Sequence, residues 1–342
     1  MTLRSASPPV AVALGCLTNA LIADDAAAHV KWFCAFDVAG QPRNLEIVLC
    51  PNFELLVGAA ILLLLVGCLG ERTPIGEAMQ RGLDRVFDGL RAKTELILRA
   101  GCGFFFVSIW AVGGILLTPE LKTDSAAIGY LQLAIAAGML SRQTMPLAGL
   151  GIAVLFAVAV VNYGVFHLAD YPIILGIGAW AALVGLERDL FGVRPLDVLR
   201  WATAITLMWA SIEKWAYPEW SFPLLANNPF MTLGYNAEFF MQAAGVIEFT
   251  LAFALIWTPL VRRMGAILLS AMFIAAIAQF GKIDAIGHAL IIVALLAIVA
   301  DTGSTKQLFK PVLLPAAYAT VLAAFLAVYY VSHAAIFGST II

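Results

Sequence analysis

AAGVIEFTLAFALIW, residues 243–257, carries one ionisable side chain, Glu248, inside an otherwise apolar run. Barrel strands alternate apolar and polar residues, and this run does not, so it reads as a helix. Glu248 lies about twelve residues past the outer start of its span. At ~1.5 Å per residue that is near the middle of a bilayer. An acid there costs about 2.5–3.5 kcal/mol on insertion scales, so it is expected to face other helices rather than lipid. One reading is a proton-relaying, quinone-facing or ion-coordinating carboxylate. The other is a neutral glutamic acid hydrogen-bonded to a neighbouring helix.

The rest of the chain is of the same kind. Of 342 residues 62% are hydrophobic and 12% charged, against about 25% charged in a soluble domain. Ten hydrophobic spans are legible, at 53–69, 97–117, 126–141, 146–167, 171–187, 198–213, 236–257, 264–280, 285–300 and 311–333. The expected fold is therefore all-α: a polytopic helical membrane protein of about ten transmembrane helices. Lys and Arg distribute unevenly over the connections, fourteen on one side and five on the other. The richer side is expected to be cytoplasmic. That places residues 29–52 and the C-terminus outside, in what is expected to be a bacterial inner membrane. Residues 53–96 then hold a first span and a cytoplasmic loop with an amphipathic helix around 75–92. The lipid bilayer is the expected partner. A net charge of −2 with no basic tail gives no sign of nucleic acid.

Residues 1–28 have the form of a secretory signal: Arg4, an apolar run, and Ala26 and Ala28 before His29. A retained first helix is the alternative. Cleavage exposes His29 as an α-amine plus an imidazole, a pair that chelates copper. Cys34 and Cys50 share the outer side, where a disulfide is expected between them. Closing a loop of that length contributes about 3 kcal/mol. No Cys-x-x-Cys, HExxH, P-loop or GxSxG motif occurs.

Two stretches resemble each other. ILRAGCGFFFVSIW (97–110) parallels VLRWATAITLMWAS (198–211), and MPLAGLGIAVLF (145–156) parallels VRRMGAILLSAM (261–272). Two parallel four-helix repeats follow, at 97–188 and 198–302, with Gln132 opposite Glu248. The second repeat has a longer outer loop. It opens with WASIEKWAYPEW (209–220), where Glu213 and Lys214 sit among tryptophans. One reading is an interfacial pair in an aromatic belt, with Lys214 reaching towards headgroups. The other turns Glu213 inward, so that with Lys214, Trp215 and Tyr217 it holds an anionic or redox-active group. His29, His167, His288 and His333 all fall on the outer face. The first three are candidate metal ligands, against a reading as ordinary interface residues. Gln279 lies at similar depth.

Leu199–Arg200 at a helix start, Glu213–Lys214 at its outer end, AAGVIEFTLAFALIW, then Arg262–Arg263 and Asp301–Thr302–Gly303, resemble the DoxX/DoxD-type membrane proteins. The match is best over 198–303, and the first repeat is a degraded copy without the Glu-Lys pair. The resemblance implies a compact four-helix bundle and a link to quinone-coupled sulfur oxidation or to thiol redox balance. Glu248, Glu213 and Lys214 become the candidate reactive residues, with Trp215, Tyr217, Gln132 and Gln279 as candidate cofactor contacts. The cofactor stays open, a quinone and copper being the two candidates, and redox partner subunits are expected. A small-molecule or metal-ion transporter is the second functional reading, and a non-catalytic assembly partner the third.

Overall fold

The computed structural model describes residues 30–303 and 311–341. The signal-like segment 1–28 and His29 lie outside them. Among the described residues the chain is helical throughout, with no strand. Six helices are long and apolar enough to cross a membrane. Two shorter apolar helices, α6 (Ala126–Gly138) and α9 (Pro172–Gly185), accompany them.

Helix starts follow from local chemistry. Proline sits in the first turn of α3 (Pro51–Gly70), α4 (Pro74–Arg91), α7 (Met145–Tyr163), α9 and α10 (Pro195–Ala216). Its missing N–H is among those that have no intrahelical partner there. α12 (Ala237–Leu255) is capped by the Asn236 side chain, which accepts from Phe239 N at 2.7 Å. α4 occupies the place expected for the amphipathic segment. Most of its side chains are exposed or half-buried, and several are ion-paired.

α13 (Pro259–Ala300) is 42 residues of helix folded back on itself. Gly281, at φ 76° and ψ −154°, interrupts it. Arg263 Nε donates to Val299 O at 2.8 Å, and the Phe273 and His288 rings lie 4.6 Å apart. In a straight helix residues 273 and 288 would be ~22 Å apart at ~1.5 Å per residue. Arms 259–280 and 282–300 are therefore antiparallel, and a single glycine makes the turn because its φ is positive.

α5 (Thr94–Val112), α6, α7, α9, α10, α12 and α13 pack in succession, and α13 returns to α5. Eight helical rods thus form a ring. α3 and α14 (Leu314–Phe337) lie outside it, against α10, α12 and α13. One apolar core joins α3, α10, α12, α14 and much of α13. The other joins α5, α6, α7 and α9. Arm 282–300 gives Ile286, Ala289, Leu290, Ala294 and Ala297 to this second core. The cores therefore do not follow the 97–188 and 198–302 boundaries. The aligned glycines also differ in what they meet: Gly149 faces Gly178 on α9, whereas Gly265 faces Leu251 and Ala254 on α12.

Candidate functional site

α10 ends in Ser211–Ile212–Glu213–Lys214–Trp215–Ala216. Adjacent residues on a helix point about 100° apart, so Glu213 and Lys214 are not partners. Lys214 Nζ reaches Glu248 Oε2 on α12 at 3.0 Å, instead of rising towards headgroups. Glu213 Oε1 accepts from Lys31 Nζ at 2.7 Å. Lys31 belongs to the one-turn helix α1 (Val30–Phe33) and also donates to Asp170 Oδ2 at 2.9 Å. Its side chain is 1% exposed. The ammonium lies 5.9 Å from the rings of Phe36 and of Trp220. Burial alone would lower the Lys31 pKa, but the charges of Asp170 and Glu213 outweigh it and raise it above its ordinary value.

Two ammonium groups and three carboxylates therefore meet at this end of the ring. Asp170 Oδ1 is buried without a hydrogen-bond partner among the described residues. Nearby, the Tyr171 hydroxyl donates to Glu120 Oε1, and burial pushes the Glu120 carboxyl pKa up. Asp284 and His288, one turn apart on α13, pair at 3.0 Å. Trp32 lies against the His288 ring at 4.9 Å and occupies the space left by the missing side chain of Gly287.

Apart from Glu120 and Asp284, these groups line a cavity of about 290 Å³. Its apolar walls include Trp32, Phe105, Phe273 and Phe280; Lys31, Asp170, Glu213, Lys214, Glu248 and His288 supply its polar lining. A second groove, of about 600 Å³ between α10, α12 and α14, is lined by Trp201, Phe253, Trp257 and other uncharged residues, and has no acid–base chemistry to offer.

Of the expected site residues, Glu213, Lys214, Tyr217, Glu248 and His288 line the cavity. Tyr217 Oη donates to Gly40 O at 2.7 Å and meets His333 Nε2 at 2.9 Å, with its ring stacked on Trp220 at 4.2 Å. Three expected cofactor contacts do not line it. Trp215 points away, donating to Gln242 O at 3.2 Å and packing on Phe53. Gln132 donates to Ile115 O at 2.7 Å and Leu116 O at 3.1 Å, holding the loop after α5. Gln279 donates to Asn228 Oδ1 at 3.2 Å.

The disulfide expected between Cys34 and Cys50 is not formed; both are free thiols, and Cys50 Sγ accepts from Gln242 Nε2 at 3.4 Å. Of the expected metal ligands, His29 lies outside the described residues. No group of three His, Cys, Asp or Glu able to hold a metal ion occurs among the described residues. His167 sits in α8 (Val165–Leu168), where burial, then the charge of Lys31, push its pKa down to about 4. It is neutral at physiological pH. His288 is committed to Asp284.

Lys31 and Glu120 are the residues that sequence reasoning passed over. The one available signal for Lys31 was an isolated cation in the apolar stretch VKWFCAF. Its partners lie 139 and 182 positions away, beyond any spacing rule. Comparison with protein-family models, with curated proteins and with solved structures finds nothing that matches this chain.

Proposed function

We propose that this chain is an integral membrane protein, with its arginine-rich end cytoplasmic, that binds a lipophilic quinone in the outer cavity and exchanges protons with it. The ten rods α3, α5, α6, α7, α9, α10, α12, both arms of α13, and α14 are its spans in this reading. The observation that carries it is the union of aromatic walls with Lys31, Asp170, Glu213, Lys214 and Glu248 in one cavity. A planar ring with polar edges suits such a site: the apolar body is buried and a few placed groups fix its orientation.

Proton exchange follows from the charge balance. Three carboxylates against two ammoniums leave one negative charge in a buried setting. Burying an unpaired charge is costly, so this excess favours uptake of a proton from a bound ligand. Asp170 and Glu213 share the Lys31 ammonium. Glu248, fixed by Lys214, accepts a proton from a reduced ligand. Electrons pass to or from a partner subunit, in line with the DoxX-like resemblance over 198–303.

The test is to purify the chain in mild detergent and identify extracted ligands by mass spectrometry and absorption. A bound quinone that is lost in Glu213→Gln and Glu248→Gln supports the reading. Purified protein that retains no quinone, and whose tryptophan fluorescence does not respond to added quinone, overturns it.

A second reading is transport of a small molecule, favoured by the single-residue turn at Gly281 beside the cavity. Uptake that is unchanged by Glu248→Gln removes it.

A further inference from the structure

At the end of the ring opposite the cavity, a chain of side chains runs Arg200–Asp197–Arg194–Asp301–Arg262. Arg200 Nη2 meets Asp197 Oδ1 at 3.0 Å. Arg194 bridges Asp197 at 2.8 Å and Asp301 at 3.0 Å. Arg262 Nη2 donates to the carbonyls of Asp301 at 3.2 Å and Gly303 at 3.1 Å. Three guanidinium groups thus face two carboxylates. Both carboxylates are already engaged by Arg194, and Asp301 Oδ1 also accepts from Gly303 N at 2.9 Å.

Arg262 and Arg200 are 0% and 3% exposed. Each uses only Nη2 in the contacts above. Nε and Nη1 of both arginines are buried without a partner among the described residues. A guanidinium cannot shed its proton to escape this, unlike a buried lysine or carboxyl group. One buried positive charge and four unmet nitrogen donors therefore call for an acceptor of opposite charge.

The geometry points to an anion site at Arg200 and Arg262, fitted to a phosphate group. Several oxygens on one tetrahedral centre accept from two guanidiniums at once, which a two-oxygen carboxylate does less completely. The phosphate comes either from the headgroup of an anionic phospholipid or from free phosphate in the cytoplasm. Neither source bears on the cavity at the other end, so this site stands or falls separately from the proposed quinone binding.

The experiment uses the full chain in mild detergent. Native mass spectrometry looks for phospholipid adducts, and thermal unfolding is followed against millimolar inorganic phosphate, with sodium chloride at matched ionic strength as reference. Wild type is expected to melt a few degrees higher in phosphate. Arg81→Met, which removes an exposed arginine on α4, is expected to respond as wild type does, and Arg200→Met is expected not to respond. A lipid adduct, with a phosphate response that appears only after delipidation, identifies a headgroup. An immediate response without an adduct identifies free phosphate. If Arg200→Met does not fold, Arg200→Lys replaces it and is expected to show a weakened response. Wild type with neither adduct nor response, or Arg200→Met (or Arg200→Lys in its place) that responds as wild type does, overturns the proposal and leaves water as the partner of these N–H groups.

Discussion

Lys214 Nζ lies 3.0 Å from Glu248 Oε2, while Glu213, the preceding residue, is bound to Lys31 across the cavity. Two charges adjacent in sequence thus serve different helices. Each then has its own consequence for stability.

Glu248→Gln leaves Lys214 without its counter-charge. Removing one partner of a fully buried pair costs about 3–5 kcal/mol. The Lys214 side chain is 27% exposed, so the expected loss is smaller, about 1–3 kcal/mol. Thermal unfolding of wild type and variant in the same detergent measures it. Glu248→Gln combined with Lys214→Met is expected to recover part of the loss.

Lys31→Met brings Asp170 and Glu213 together without their shared cation. The expected cost is about 3–5 kcal/mol at neutral pH. It is expected to shrink as the medium is acidified and one carboxylate takes up a proton, and Glu213→Gln in the same chain is expected to offset it. In wild type the Lys31 pKa is raised from 10.5. Its contribution is complete below pH 10.5 and disappears as pH rises through the folded-state value. An unfolding series that shows this contribution already lost at pH 9 would contradict the arrangement.

Asp301 titrates with the opposite sign. Burial alone would raise its pKa, but Arg194, the Gly303 N–H and Arg262 together hold it below 3.8. Its contribution to stability is therefore complete above pH 3.8 and is lost as pH falls through the lower folded-state value. The difference in melting temperature between wild type and Asp301→Asn is expected to be constant from neutral pH to about pH 5 and to close only in stronger acid.

Gly281→Ala puts a Cβ on a residue at φ 76° and ψ −154°, a region open almost only to glycine. The strain amounts to about 1–3 kcal/mol. Because this turn sets the approach of arm 282–300 to arm 259–280, the Phe273–His288 contact is expected to loosen as well. Hydrogen exchange at 278–288 reads this directly, and protection equal to wild type would show that the turn tolerates a side chain.

Much of the helical layout was already written in the chain. Apolar runs, prolines in first turns and the single acid of AAGVIEFTLAFALIW are local features, and each fixes its own stretch of backbone or its own burial. Glu248 and Glu213 were legible as residues that needed partners, because an ionisable group among apolar ones has few alternatives. The tertiary structure alone decided which partners they took. Lys31 reaches Asp170 and Glu213 over 139 and 182 positions, and Arg200 and Arg262 meet through Asp197, Arg194 and Asp301. Helix formation depends on neighbours within a few residues, whereas a buried charge is satisfied only by whatever the packed helices bring within about 3 Å of it.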